Sequence, residues 1–141
     1  MEILEIHDLK KFCESVVSSF SDRQIVLLDG PLGAGKTELV KKMVKVLGAG
    51  ETSSPTYSLI NEYSVDHSAI YHIDLYRVDG EDDLESIGFW DLFESKKAIV
   101  FIEWSSRMDR KLLPLDWSQL SVKISKVEDD SKRLYEVTAK T

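Results

Sequence analysis

The chain has 141 residues, 43% hydrophobic and 30% charged, with 18 Lys plus Arg against 25 Asp plus Glu and a formal net charge of −7. Such a length and balance predict a single domain, residues 1–141, with a real hydrophobic core. The acidic surface argues against autonomous nucleic-acid binding, because phosphate backbones repel it wherever basic groups do not cluster; binding within a larger assembly stays open.

The apolar runs Ile25–Leu28 and Ala98–Ile102 are far too short to cross a membrane. The acidic start, with Glu2 and Glu5, lacks the basic and apolar regions of a signal peptide. A single cysteine permits no internal disulfide. Together these features lead us to expect a cytoplasmic protein.

From Asp8 to Phe20 the apolar residues Leu9, Phe12, Cys13, Val16, Val17 and Phe20 share one helical face, with Asp8 placed to cap it. Cys13 lies on that face and reads as a small core residue rather than a nucleophile. Gln24 to Asp29 follows as a short buried strand. It runs into Gly30-Pro31-Leu32-Gly33-Ala34-Gly35-Lys36-Thr37, which fits the G-x-x-x-x-G-K-[ST] pattern of a phosphate-binding loop. In that pattern glycines let successive N–H groups turn inward on phosphate oxygens. The following helix adds the partial positive charge of its N-terminus. Lys36 is placed to reach the β- and γ-phosphates and the Thr37 hydroxyl to coordinate Mg²⁺. Leu39, Val40, Met43, Val44 and Leu47 continue at helical spacing, and Gly48-Ala49-Gly50 supplies a glycine stop.

Thr52-Ser53-Ser54-Pro55-Thr56 is polar, contains proline and is expected to be a loop. Tyr57 to Ser64 and Ala69 to Leu75 read as two strands of a hairpin about Asp66-His67. The acids Asp79, Glu81, Asp82, Asp83 and Glu85 precede a short helix through Ile87, whose start Glu81 to Asp83 complement. Phe89, Trp90, Leu92 and Phe93 extend an apolar helical stretch. Ala98 to Ile102 is a buried strand ending in Glu103-Trp104, and a polar helix around Ser106 to Leu112 stops at Pro114. Leu120-Val122-Ile124 and Tyr135-Val137-Ala139 alternate about a turn at Glu128 to Ser131, which predicts a C-terminal hairpin with one solvated face.

A phosphate loop needs an acid at the end of a neighbouring strand to hold Mg²⁺ directly or through water. Glu103 after Ala98–Ile102 and Asp74 after Ile70-Tyr71-His72-Ile73 both qualify, and spacing leaves them unranked. His72 and Asp74 share a strand face at i, i+2, but no third ligand stands nearby, so His72 reads as structural. The chain lacks the Asn-Lys-x-Asp segment of guanine-specific switches, which favours adenine as the base.

Four segments carry a resemblance that covers nearly the whole chain: Leu32-Gly33-Ala34-Gly35-Lys36-Thr37, Ser54-Pro55-Thr56-Tyr57, His72-Ile73-Asp74-Leu75-Tyr76-Arg77 and Ile102-Glu103-Trp104. In order and spacing the chain resembles the bacterial TsaE (YjeE) ATPases of threonylcarbamoyladenosine tRNA modification. The resemblance implies a Mg²⁺-dependent ATPase that works with the TsaB and TsaD proteins. It supports their transfer of a threonylcarbamoyl group to the adenosine beside the anticodon and meets tRNA only indirectly. It further implies that Leu32, Gly33, Ala34, Gly35, Lys36 and Thr37 bind the phosphates and that Thr37 and Glu103 bind Mg²⁺. Ser54-Pro55-Thr56 resembles a switch loop that senses the γ-phosphate through Thr56. Asp74 resembles a second essential acid, which positions water or acts behind the metal's ligands, and Arg133 a nucleotide-contacting position.

Two residues depart from the family pattern. Pro31 stands where Asp is usual, and Glu38 stands where a small hydroxyl residue is common. The carboxylate of Glu38 either weakens nucleotide binding by repulsion or pairs with Lys42 at i, i+4.

The implied fold is an α/β phosphate-loop NTPase domain in three layers, with a mixed central sheet. The sheet is expected to be parallel around Gln24–Asp29 and Ala98–Ile102, with antiparallel additions from both hairpins. Local pattern supplies the elements, and the resemblance supplies the sheet order. From other classes, a small-molecule kinase and a nucleotide-dependent interaction module use the same loop. A kinase usually carries a lid with several arginines, whereas after the loop this chain has only Arg77, Arg107, Arg110 and Arg133.

Overall fold

The computed structural model describes residues 1–49, 60–65, 68–78 and 81–140. In chain order its strands are β1 (Glu2–Glu5), β2 (Arg23–Asp29), β3 (Ile60–Val65), β4 (Ser68–Asp74), β5 (Ala98–Glu103), β6 (Ser118–Lys126) and β7 (Lys132–Ala139). The helices are α1 (Lys10–Ser18), α2 (Lys36–Val46) and α3 (Glu81–Ser86). The seven strands form one sheet in the order β1-β7-β6-β2-β5-β4-β3.

Its centre is parallel. β2 pairs with β5 on one side and β6 on the other, and β4 extends the parallel set beyond β5. β3 and β7 run antiparallel to this core, and β1, paired antiparallel with β7, points the same way as the core. Each hairpin thus gives its inner strand, β4 or β6, to the parallel core; β3 forms one edge of the sheet, whereas β7 is covered by β1, which forms the other. The N-terminal strand β1 escapes the sequence pattern because its residues are mostly exposed and only the pairing with β7 orders them.

Strand alternation divides the core into two layers. Val26, Leu28, Phe101, Leu120, Val122 and Ile124 face Cys13 and Val16 of α1 and Leu39, Val40, Met43 and Val44 of α2. Ile25, Leu27, Ile73, Val100 and Ile102 face the opposite side, against Leu84 of α3, Phe89, Leu92 and Trp117. The expected three layers are therefore present. Among the described residues no helix is long and apolar enough to cross a membrane.

Several local expectations change. The first helix begins at Lys10 with Leu9 at its N-terminal boundary and no side-chain cap, because Asp8 lies one residue too early and its N–H closes a turn onto Glu5. The stretch after α3 is a 3-10 helix, Phe89–Glu94, entered through left-handed Gly88, and its rings pack edge-on: Phe89 on Phe93 at 5.3 Å and Phe93 on Trp117 at 5.2 Å. The polar helix resolves into two 3-10 turns, Ser105–Arg107 and Arg110–Leu112, and the Asp109 carboxylate caps the second through the Lys111 N–H. In β7 only Tyr135 is buried, while Val137 faces water, so the expected alternation fades toward the chain end. The expected strand residues 57–59 and the turn at Asp66-His67 lie outside the described residues.

Cys13 is fully buried, as its place on the apolar face predicted. Burial pushes its thiol up to about 11 from 9.0, with Lys42 opposing and Glu14 adding to the shift. A folded-state value above the unfolded one stabilises the fold below the unfolded value and loses that contribution as pH rises through the folded value. Unfolding titrations should therefore show a Cys13-dependent loss of stability between about pH 9 and about pH 11, read as the difference between wild type and Cys13→Ala. Cys13→Ala should lose less over this window and keep the smaller share due to Tyr135, whose hydroxyl burial also pushes up.

Candidate nucleotide site

At the exit of β2 the backbone turns under β6. A Cβ on Gly30 would fall 2.6 Å from the Ile124 carbonyl oxygen, so only glycine fits there. Five residues later Gly35 takes φ 105°, a left-handed conformation that starts α2 at Lys36. The first helical bond runs from the Leu39 N–H to the Gly35 carbonyl. The N–H groups of Lys36, Thr37 and Glu38 therefore have no partner inside the helix and face the loop, which makes an anion site of this end.

Lys36 is buried, and its Nζ donates to the carbonyls of Gly30 at 2.7 Å and Pro31 at 3.0 Å. The same ammonium lies 4.0 Å from the centroid of the Trp104 ring. Burial pushes the Lys36 pKa down, and the carboxylates of Glu103, Asp74 and Asp29 push it back up. Three separate segments, 29–31, 74 and 103–104, thus converge on one charge.

Glu103 ends β5 on the α2 side of the sheet, and its carboxylate is almost fully enclosed. The Thr37 hydroxyl reaches Oε1 at 2.9 Å and Oε2 at 2.8 Å. Nε2 of buried His72 bonds to Oε2. Asp74 pairs in register with Glu103 on the neighbouring parallel strand. Its Oδ1 accepts the Tyr76 N–H at 3.0 Å and caps the 3-10 turn Leu75–Arg77. The two acids that spacing left unranked are therefore adjacent, and Glu103 is the one joined to Thr37.

Of the remaining expected residues, Leu32 and Gly33 occupy the loop, with Leu32 68% exposed. Ala34 turns its methyl into the core and donates its N–H to the Pro31 carbonyl at 3.1 Å. Thr56 lies outside the described residues. Arg133 sits on β7, where Nη1 donates to the Asp130 and Lys132 carbonyls at 2.9 and 2.7 Å. Its Nε is buried with no partner among the described residues. Glu38 pairs with Lys41 at 3.6 Å rather than with Lys42, because the Lys42 ammonium turns back to the Ile6 carbonyl at 2.8 Å.

Sequence reasoning missed three contributors. Lys126, opposite Arg133 in the hairpin register, brings its ammonium to 3.7 Å from where a Cβ on Gly33 would lie. Trp104 is the one non-glycine residue with positive φ among those described, at 58°, and its ring meets Tyr76 at 5.2 Å. Asp29 accepts from Arg110 and the Ser105 hydroxyl, each at 2.5 Å, and from the Ser106 N–H at 3.0 Å. Asp29 carried a signal as the acid that closes the strand before the loop, whereas Lys126 and Arg110 carried none.

The donor set suits Mg²⁺. Thr37 and Glu103 supply hard oxygen atoms, and Mg²⁺ commonly takes one or two protein ligands with waters and substrate phosphates. Among the described residues no group of three or more His, Cys, Asp and Glu could hold a metal ion unaided.

A buried strand, a glycine loop and a helix, set within parallel neighbours on a mixed α/β sheet, define a phosphate-loop α/β protein. Within that class the chain belongs to the TsaE family: the model of the threonylcarbamoyl adenosine biosynthesis protein TsaE matches residues 4–134. Curated relatives named tRNA threonylcarbamoyladenosine biosynthesis protein TsaE include one from Rickettsia bellii, 32% identical over 93% of this chain and 88% of its own length. Another, from Haemophilus influenzae, is 42% identical over 70% of this chain but only 63% of its own length. A crystal structure of Bacillus subtilis YdiB superposes with a TM-score of 0.67 over 99% of this chain and 84% of its own; at 23% identity it supports the fold.

Gly30→Ala should cost on the order of 1–3 kcal/mol by forcing backbone away from backbone. Thermal melting compared with Gly33→Ala checks the assignment: that variant bears the strain of φ 79° but its Cβ meets only the flexible Lys126 tip, so it should melt above Gly30→Ala.

Proposed function

We propose that this protein is a Mg²⁺-dependent ATPase of the cytoplasm, slow alone, that supports threonylcarbamoyl transfer to the adenosine beside the anticodon of tRNAs. It acts with the TsaB and TsaD proteins and meets tRNA only through that assembly. Family membership supports the pathway. The observation that carries the chemistry is the Thr37 hydroxyl resting on the Glu103 carboxylate beside the buried Lys36 ammonium.

The loop from Leu32 to Thr37 binds the phosphates through inward N–H groups and the start of α2. An ammonium has three donors, so Lys36 can turn one to a β- or γ-oxygen while others stay on the loop carbonyls. Thr37 and Glu103 would hold Mg²⁺, which when bound neutralises charge developing on the transferred phosphoryl group. Asp74, adjacent to Glu103, orients the attacking water through the carboxylate oxygen that Tyr76 does not occupy. Thr56 would sense the γ-phosphate, and Arg133 with Lys126 would flank the nucleotide from the hairpin.

Phosphate release from ATP, measured with and without TsaB and TsaD, tests this reading. Release that needs Mg²⁺ and rises with the pair is expected; no release under either condition overturns it. Lys36→Ala should abolish hydrolysis in a protein that still folds, since Lys36 alone among the described lysines bonds the Gly30 and Pro31 carbonyls inside the loop, while Lys126 reaches Gly33 from the hairpin.

Glu103→Gln and Asp74→Asn should both stop turnover yet differ in metal dependence. In a Mg²⁺ titration at constant ATP, Glu103→Gln should shift the midpoint upward and Asp74→Asn should leave it in place. The opposite pattern would exchange their roles.

Glu38→Thr should change ATP affinity by less than about threefold, because the carboxylate is 70% exposed and pairs with Lys41 away from the loop. Calorimetric binding at low and high salt checks this. A melting loss equivalent to about 0.5 kcal/mol or less reports the missing surface pair.

A further inference from the structure

His72 is buried on β4, and its Nε2 contacts a carboxylate oxygen of Glu103 that the sequence gives no reason to expect within its reach. We propose that His72 is a positioning residue for Glu103, holding that carboxylate in the one orientation that serves both Thr37 and a divalent cation. The proposal rests on the nucleotide-site reading above.

The placement follows from strand alternation. Ile70 of β4 and Phe101 of β5 belong to the core layer under α2, so His72 and Glu103, each two residues further along its strand, point to the same side. His72 lies opposite Phe101 in register, two pairs before Asp74 opposite Glu103 and on the same face. Its ring therefore stands beside the end of β5 and meets the Glu103 carboxylate from the flank.

The hydrogen-bond arithmetic requires such a donor. Ionised Glu103 only accepts, and Thr37 Oγ1, though 2.9 and 2.8 Å from the two oxygens, has one proton for both. A neutral His72 with its proton on Nε2 supplies the second donor, at Oε2. Glu103 has three rotatable bonds, whereas the imidazole is rigid and hangs from a strand paired on both sides. When the Thr37 oxygen turns a lone pair to a cation, the His72 bond keeps Oε2 in place. Oε1 would then be the oxygen left for the cation or its water.

Comparing His72→Phe, His72→Gln and His72→Asn in the full chain tests the idea without reference to turnover. ADP binding is measured by calorimetry in EDTA and across a Mg²⁺ series, and Mn²⁺ binding to the ADP complex by electron paramagnetic resonance. We expect His72→Phe to weaken Mn²⁺ binding and the Mg²⁺-dependent share of ADP affinity by about 10- to 100-fold, leaving ADP affinity in EDTA unchanged. His72→Gln, which keeps an amide donor at similar reach, should recover most of the loss.

Should the phenylalanine variant fail to fold, the comparison of Gln with Asn carries the test, since the two differ only by one methylene of reach. Weaker Mn²⁺ binding in Asn than in Gln is expected, and equal values overturn the proposal. Wild-type cation dependence in His72→Phe, or an equal loss with and without Mg²⁺, reduces His72 to a packing residue and leaves the nucleotide site standing. If the wild-type protein itself shows no Mg²⁺-dependent ADP binding, the site reading fails and takes this proposal with it.

Discussion

The bond between the Thr37 hydroxyl and the Glu103 carboxylate joins two segments that lie 66 residues apart in the chain. It exists because β2 and β5 are parallel neighbours whose register sets Leu28 opposite Glu103. The strand that ends in the glycine loop and the strand that ends in the acid therefore finish at the same level. α2 then packs back over the sheet through Leu39, Val40, Met43 and Val44, which returns its first turn to the end of β5. Any shift of one residue between β2 and β5 would turn Glu103 to the opposite face and separate it from Thr37. Site geometry and core packing are thus one constraint.

Electrostatics give the same site its charge pattern. A buried ammonium is costly without anionic neighbours, and Lys36 has three: Glu103, Asp74 and Asp29 all act to keep it protonated against burial. The loop carbonyls and the Trp104 face complete its surroundings. The acids keep partners of their own: Glu103 leans on Thr37 and His72, Asp74 accepts from Tyr76, and Asp29 pairs with Arg110. Under the proposed function, a cation and phosphates entering this cluster would meet groups that are already oriented.

The second framework lies on the far face of the sheet. Asp29 points there, away from Glu103, and ties the end of β2 to Ser105, Ser106 and Arg110 just beyond β5. That tie holds the chain as it leaves Glu103 through Trp104, whose left-handed backbone costs on the order of 1 kcal/mol or more for a residue with a side chain. The strain turns the indole under Lys36. On the other flank, Gly30 runs so close to Ile124 that the hairpin of β6 and β7 becomes a wall of the loop, with Lys126 at its edge. Three separate supports therefore converge on eight loop residues.

Much of this protein was legible in the order of its residues. The glycine spacing from Gly30 to Gly35, the apolar runs of β2 and β5 and the 3.6-residue repeat of α1 and α2 are local signals, and local sterics and solvation suffice to produce them. They also named Lys36, Thr37, Glu103 and Asp74. What tertiary structure alone decided concerns residues whose partners are remote in sequence. Spacing could not rank Glu103 over Asp74 as the neighbour of Thr37, since only the strand order and the path of α2 select it. His72 read as structural until the register of β4 against β5 brought its ring to Glu103. Lys42 seemed the partner of Glu38 until the Ile6 carbonyl claimed it, and β1 had no pattern until β7 paired with it. A side chain's chemistry is written in the sequence, but the neighbour on which it acts is set by packing across the sheet.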